Sequence, residues 1–269
     1  FIDFGNFPIL NFPIDYKYFK RFTKKKKFQQ SMKLQISISK KYGYLCLKKK
    51  VNSNLLDNLY KKFYRYPSAI LNQIEPSRDK IFLQKLYKSV NLKKINKVLE
   101  IGCYDGYILH KIKKKFLNVE TFGCEPSPGA DIANKFGLNV KKTYFDHKTF
   151  PNQKFDLIIL RHTLEHISNI NKIINNIRKV MNNNSTLAIE VPNINFYLKN
   201  GLLEVFSFQH IHYFSMQTFF AICKSYDFKI LSKFETPENI IIFIKKNKSK
   251  NKIENKITKK FYSDVFLNK

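Results

Sequence analysis

From residue 97 onward, short apolar runs alternate with amphipathic stretches. Val98-Leu-Glu-Ile101 reads as a buried strand, followed by helical spacing over Tyr107 to Phe116. Val119 to Cys124 is a second strand, Gly129 to Phe136 a helix and Leu138 to Lys142 a third strand. Phe155 to Leu160 is a continuous apolar run, as expected of a strand covered on both faces. Asn169 to Met181 is a helix, Leu187 to Val191 a strand stopped by Pro192, and Met216 to Ser225 a helix. Phe228 to Phe234 and Ile240 to Ile244 are two final strands. Strands and helices alternating at this spacing predict a parallel sheet with helices on both faces.

The first 90 residues lack this alternation. Leu34, Ile36 and Ile38 alternate with polar residues as in a half-buried strand, a turn follows over 41–44, and Leu45 to Leu47 returns. Asn54 to Phe63 has helical spacing with Asn54 as a candidate cap, and Ser77 to Ser89 is a second amphipathic helix. The Lys run within Phe22 to Lys27 predicts an exposed turn or helix end. The Lys/Asn-rich tail from Lys245 is expected to be mobile, up to a helix near Ile257 to Phe266. The expected division is therefore a cap over 1–90, a central domain over 91–246 and a tail over 247–269.

Composition changes this picture little. The chain has 269 residues, with 49 Lys and Arg against 20 Asp and Glu, a formal net charge of +29. Only five of the basic residues are Arg: Arg21, Arg65, Arg78, Arg161 and Arg178. Nucleic-acid interfaces favour Arg for its bidentate contacts. The charge therefore reads as a solvated Lys surface, and no specific nucleic-acid partner is expected. No run reaches the roughly 18 apolar residues of a membrane span. The first residues lack a charged segment followed by an apolar one, so no signal peptide is expected, and Cys46, Cys103, Cys124 and Cys223 are scattered with no C-x-x-C pair. A reducing, cytoplasmic setting is expected.

Candidate chemistry collects at strand ends. In Val98-Leu-Glu-Ile-Gly-Cys-Tyr-Asp-Gly-Tyr107 a strand enters a turn with Gly102 and Gly106 before a helix. Glycine permits a tight turn and close approach of a ligand. Such ligands sit beyond the carboxyl ends of strands in α/β sheets. The G-x-G-x-x-G fingerprint is absent, so no pyrophosphate cradle is indicated. Glu125 ends the second strand, placed to accept hydrogen bonds from both hydroxyls of a ribose. Phe155-Asp-Leu-Ile-Ile-Leu-Arg-His-Thr-Leu-Glu-His166 and Leu187-Ala-Ile-Glu-Val-Pro-Asn193 complete the set.

Together these blocks resemble class I S-adenosylmethionine-dependent methyltransferases. The resemblance implies a Rossmann-like α/β fold: a mostly parallel seven-stranded sheet with helices on both faces, here with a small N-terminal α+β cap. It implies S-adenosyl-L-methionine as cofactor, lined by Glu100, Gly102, Cys103 and Gly106, with Glu125 on the ribose. Asp146 falls where the adenine is flanked, and Arg161 and His162 fall near the methyl. For Glu165 and His166 helix packing or capping is expected. Phe1-Ile-Asp-Phe-Gly-Asn-Phe-Pro8, Tyr64-Arg-Tyr-Pro-Ser68 and Gln209-His-Ile-His-Tyr-Phe-Ser215 narrow the likeness. They resemble the C-methyltransferases that act on nucleotide-linked keto-sugars.

That narrower resemblance implies a sugar-nucleotide substrate, with His210 as general base and Tyr66, less directly Tyr64, reaching the site. Gln209 stands where the family carries a Glu before the His. The family's N-terminal module binds zinc, with a C-x-x-C-G pair that falls near Ser39 and Tyr42 before Gly43. Ser and Tyr are not structural zinc ligands, so no zinc and a module held by aromatic packing are expected. The family's further C-terminal α/β domain is expected to be missing. A metal pair formed by His210 and His212 finds no carboxylate or third His at suitable spacing, so no metal is expected. The alternatives are O-methylation of a sugar or small molecule, and a non-catalytic or nucleic-acid-binding protein on the same fold.

Overall fold

The computed structural model describes residues 1–9, 20, 31–40 and 43–247. Two sheets organise them. The larger is built from β4 (Lys97–Ile101), β5 (Glu120–Cys124), β6 (Asn139–Lys141), β7 (Phe155–Arg161), β8 (Met181–Pro192), β10 (Phe228–Glu235) and β11 (Asn239–Lys246). Its order is β10-β11-β8-β7-β4-β5-β6, and only β11 runs against its neighbours. This is the mostly parallel, seven-stranded Rossmann-like arrangement that the alternating pattern predicts.

Side-chain alternation explains why both faces are covered. In β7, Leu157 and Ile159 enter one core with Leu83 and Leu86 of α2 (Ser77–Ser89) and Ile108 and Ile112 of α3 (Tyr107–Lys115). Ile158 and Leu160 enter the opposite core with Ile173, Ile174 and Ile177 of α5 (Ile170–Val180) and Phe219 and Ile222 of α7 (Met216–Ser225). In β11, Ile241 and Phe243 join the first core and Ile240, Ile242 and Ile244 the second. The period of two along a strand divides each apolar run between two layers. A short α4 (Gly129–Lys135) connects β5 to β6.

Several element ends follow from local chemistry. Asn169 caps α5 by accepting from the Lys172 amide, and Ser215 and Thr218 form a reciprocal capping box at α7. The predicted helix over Asn54 to Phe63 differs in detail. It starts at Ser53, with the Asn52 Oδ1 accepting from the Asn54 amide at 2.9 Å, and α1 (Ser53–Asn58) widens into a π-turn over Leu59–Phe63. Wide turns of this kind re-aim side chains, and here Tyr60 is brought to the site described below.

The smaller sheet has the order β1-β2-β3-β9, all antiparallel, with β1 (Ile2–Pro8), β2 (Ser31–Ile38), β3 (Leu45–Leu47) and β9 (His212–Tyr213). β1 carries no clean alternation, and α6 (Ile194–Lys199) is only six residues long, which is why neither is legible in the sequence pattern. The fourth strand comes from far along the chain: Leu45 pairs with Tyr213 and Cys46 with His212. The N-terminal strands therefore hold the segment that carries His210. The Lys run near residue 25, Tyr42 and the tail helix expected near residue 257 lie outside the described residues. Among the described residues no helix is long and apolar enough to cross a membrane.

Candidate active site

The strand order reverses between β4 and β7, and ligands in open α/β sheets bind outside the carboxyl ends at such a point. The glycine turn leaves β4 there. Gly102 and Gly106 both have positive φ, +74° and +75°, a conformation that L side chains rarely adopt. A Cβ on Gly102 would sit 2.3 Å from Thr163 Oγ1, and one on Gly106 2.5 Å from a Leu138 methyl carbon. The glycines thus let the turn press onto β7's exit and onto β6. Gly102→Ala is expected to lower stability by about 1–3 kcal/mol through backbone strain and the clash with Thr163, read as a shift in the urea midpoint.

Two acidic groups flank this turn. Glu125, at the end of β5, is buried, and its carboxylate accepts from the Tyr104 amide at 3.0 Å and the Ser127 amide at 2.8 Å. Those donors fix its orientation, while burial raises its pKa against the pull of the same hydrogen bonds. Glu100, within β4, is buried deeper, and its Oε2 has no hydrogen-bond partner. Burial pushes its pKa up to about 8, opposed by Arg161. An unpartnered buried acceptor beneath a glycine turn is suited to a ligand that brings a donor or a positive charge.

The other predicted residues around this turn take varied places. Cys103 directs its thiol into the core, where a Cβ on Gly123 would come within 2.7 Å of its sulfur. Asp146 lies on a half-buried turn, accepting from the Lys148 amide and the Asn176 side chain. Arg161 is 8% exposed and held between Glu190 (2.6 Å) and Asp79 (2.7 Å), with its guanidinium over the Phe82 ring. It joins α2 to β7 and β8 as a buried ion network. Asp79 and Glu190 carry no local signature, and only the tertiary contact reveals them.

Asp105 is a further residue missed from the sequence. It accepts from Ser68 Oγ at 2.7 Å, the Ile70 amide at 3.2 Å and the Tyr107 amide at 3.1 Å, so it ties the segment after Pro67 to the glycine turn. Tyr104 repeats the connection: its hydroxyl accepts from the Tyr66 amide at 2.9 Å and donates to the Tyr66 carbonyl. Tyr66 itself is 49% exposed, edge-on to Tyr104, whereas Tyr64 packs tilted against Tyr60 and edge-on to Tyr104. Of the two, Tyr64 lies deeper.

Beyond β7 the chain forms a second cluster. His162 has φ +44°, and the 3₁₀ turn Leu164–His166 follows. The Ile211 amide donates to the Glu165 carbonyl at 2.7 Å, which docks the Gln209–His210 segment onto that turn. His166 Nδ1 lies 2.9 Å from the Gln209 carbonyl and 3.3 Å from the Tyr60 hydroxyl. His210 Nδ1 lies 2.7 Å from the Val205 carbonyl, and the His166 and His210 rings are 4.9 Å apart. A carbonyl only accepts, so each Nδ1 carries the proton and each Nε2 is left with its lone pair.

Burial lowers the pKa of His210, opposed by the bond to Val205, and takes His166 down to about 3. Burial raises Glu165 to about 8. At neutral pH the three are therefore uncharged. His212 points elsewhere: its Nε2 meets the Ile167 carbonyl at 2.9 Å, so it does not pair with His210.

The known proteins agree with this architecture. Residues 64–233, more than half of the chain, match the family model described as a methyltransferase domain. Among solved structures, the mitomycin 7-O-methyltransferase MmcR superposes with a TM-score of 0.52 at 16% identity, covering 66% of this chain and 56% of that one. The plantazolicin methyltransferase BpumL, solved with a triazolic desmethyl analogue and SAH, superposes with a TM-score of 0.51 at 18% identity, covering 66% and 88%. RosA from Streptomyces davawensis, an N,N-8-amino-8-demethyl-D-riboflavin dimethyltransferase, gives 0.50 at 14%, covering 63% and 55%. The chain thus spans little more than half the length of MmcR and RosA. No curated protein matches the chain. The family match takes in the glycine turn and the parallel strands from β4 to β8, and the chain belongs to the methyltransferase-domain family.

Proposed function

We propose that the chain transfers a methyl group from S-adenosylmethionine to a small-molecule acceptor, with His210 as general base. The observation that carries this reading is the fixed tautomer of His210. Its Nδ1–H is spent on the Val205 carbonyl at 2.7 Å, and its Nε2 lone pair is left for a proton in the cluster beyond β7. When bound, S-adenosylmethionine supplies an electrophilic methyl group on a sulfonium. The residues present fit it: the unpartnered Glu100 Oε2 suits a cationic or donor group, and the Glu125 carboxylate, oriented by two amides, suits a ribose diol. Tyr104 and Asp105 tie the segment from Tyr66 to Ile70 to the turn. The SAH in BpumL is in keeping with this cofactor.

The acceptor we propose is a nucleotide-linked keto-sugar, methylated at the carbon beside its carbonyl. The support is the sequence resemblance of residues 1–8, 64–68 and 209–215, of which the last places His210. A carbon acid beside a ketone must surrender its proton, and a neutral imidazole is a competent acceptor for it. Gln209 holds His166 through its backbone carbonyl, and Tyr66 stands at the exposed rim. O-methylation is the second reading, suggested by the reaction named for MmcR. One core hosts many acceptors, so the two readings separate only by product.

The deciding experiment incubates the chain with methyl-labelled cofactor and a panel of keto-sugar nucleotides beside their alcohol counterparts. Product NMR is expected to show a new carbon–methyl bond on the ketones alone. Methyl ethers on the alcohols would replace the carbon reading by the oxygen one. Glu125→Ala is expected to weaken binding of S-adenosylhomocysteine by about 1.5–3 kcal/mol, roughly 10–150-fold, measured calorimetrically on samples matched by thermal melting. Unchanged affinity would remove Glu125 from the ribose.

A further inference from the structure

Glu165 stands apart from the other buried acids. It is 1% exposed, and both of its carboxylate oxygens lack a hydrogen-bond partner. Glu190 has Arg161 at 2.6 Å, and Glu125 has two backbone amides. The basic side chains nearest to Glu165 are imidazoles: His162 Nδ1 at 3.6 Å and His166 Nε2 at 3.9 Å from its Oε1. A buried carboxylate left without donors costs several kcal/mol unless a proton or a cation completes it.

His166 and His210 converge on the same place. One potential ligand atom from each of Glu165, His166 and His210 lies within 4.8 Å of the other two. Both imidazoles have their Nδ1 turned to a backbone carbonyl, of Gln209 and of Val205. This is the outer hydrogen bond that fixes a metal-binding histidine's tautomer and presents Nε2 as the ligand. Arg161 is engaged by Asp79 and Glu190, at 2.7 and 2.6 Å, and Glu165 is left to the imidazoles beside it. His162, whose Nε2 is unpartnered, borders the same space.

We propose that Glu165, His166 and His210 form a binding site for one first-row divalent transition ion, zinc foremost, with a coordination position left open. Two imidazoles and one carboxylate are a donor set suited to zinc, cobalt or manganese, whereas magnesium and calcium prefer oxygen. Tetrahedral bonds of about 2.1 Å place ligand atoms about 3.4 Å apart, so the three side chains close by adjustments of about an ångström. The proton-bearing Nδ1 atoms stay on their carbonyls throughout. Sequence spacing hides this site because Glu165 and His166 come from the turn after β7 and His210 from the segment before β9. An ion here takes the lone pair that the proposed reaction assigns to proton abstraction, so a loaded site withdraws His210 from that role.

The test uses the full chain freed of metal by chelation, with no methyl acceptor present. Zinc is titrated by calorimetry, and cobalt by its visible absorption, which intensifies in four- and five-coordinate sites. One ion per chain is expected, with zinc displacing cobalt and magnesium failing to do so at the same concentration. Glu165→Gln and His166→Gln are each expected to weaken zinc binding at least 100-fold, and His110→Gln, on a distant helix, to leave it unchanged. If one cluster variant does not fold, the other decides. Absence of saturable zinc binding to the folded chain would overturn the site, as would binding that both cluster variants retain. Because the readouts need neither cofactor nor acceptor, their failure is distinct from failure of methyl transfer.

Discussion

Arg161→Met is expected to cost about 3–5 kcal/mol of folding stability. The guanidinium is the shared partner of Asp79 and Glu190, at 2.7 and 2.6 Å; both acids are buried and the Arg161 side chain is 8% exposed. Methionine fills much of the volume and keeps contact with Phe82, so the loss is chiefly electrostatic: two carboxylates remain in the interior without their cation. For a domain of 150–250 residues each kcal/mol lowers Tm by about 2–4 °C, so a fall of roughly 6–20 °C is expected in a thermal melt. Asp79→Asn is expected to cost less, because Glu190 keeps its contact with the Arg161 Nε. An Arg161→Met chain that melts like the parent would show that the network is not what joins α2 to the strand ends.

His210→Ala is expected to lower kcat about 10²–10⁴-fold, the usual contribution of a positioned general base. Cofactor affinity should change little, since the residues proposed to hold the cofactor lie on the β4 and β5 turns and His210 lies beyond β7. The side chain also uses its Nδ1 on Val205, so some loosening of the 205–210 segment is expected. His210→Gln separates the two effects: an amide can donate to Val205 but cannot take the proton. Turnover as low as in the Ala variant, with a melting temperature nearer the parent, is the expected pattern in single-turnover assays.

The strands and helices of the large sheet were legible because each carries its own periodicity. Leu157 to Leu160 is apolar at every position since it serves two cores, and Ser77 to Ser89 and Met216 to Ser225 have boundaries that match the structure. The glycine turn and Glu125 were legible as well, since positive φ and a strand-end acid leave local marks. What the pattern hid depends on distant pairing. β9 is two residues long and exists only by joining β3, and the ion network of Arg161 draws on Asp79 in α2. The juxtaposition of Glu165 and His166 with His210 needs the backbone bond from Ile211 to Glu165, which no local spacing encodes. The expectation of helix packing or capping for Glu165 and His166 did not anticipate a buried carboxylate whose oxygens have no hydrogen-bond partner and two imidazoles within 4 Å.

Calorimetric titration of S-adenosylhomocysteine into the full chain, at moderate salt to screen its +29 charge, tests the cofactor assignment most directly. Saturable one-to-one binding, weakened by Glu125→Ala, is the predicted result. A folded chain, verified by a cooperative melt, that takes up no S-adenosylhomocysteine would contradict it.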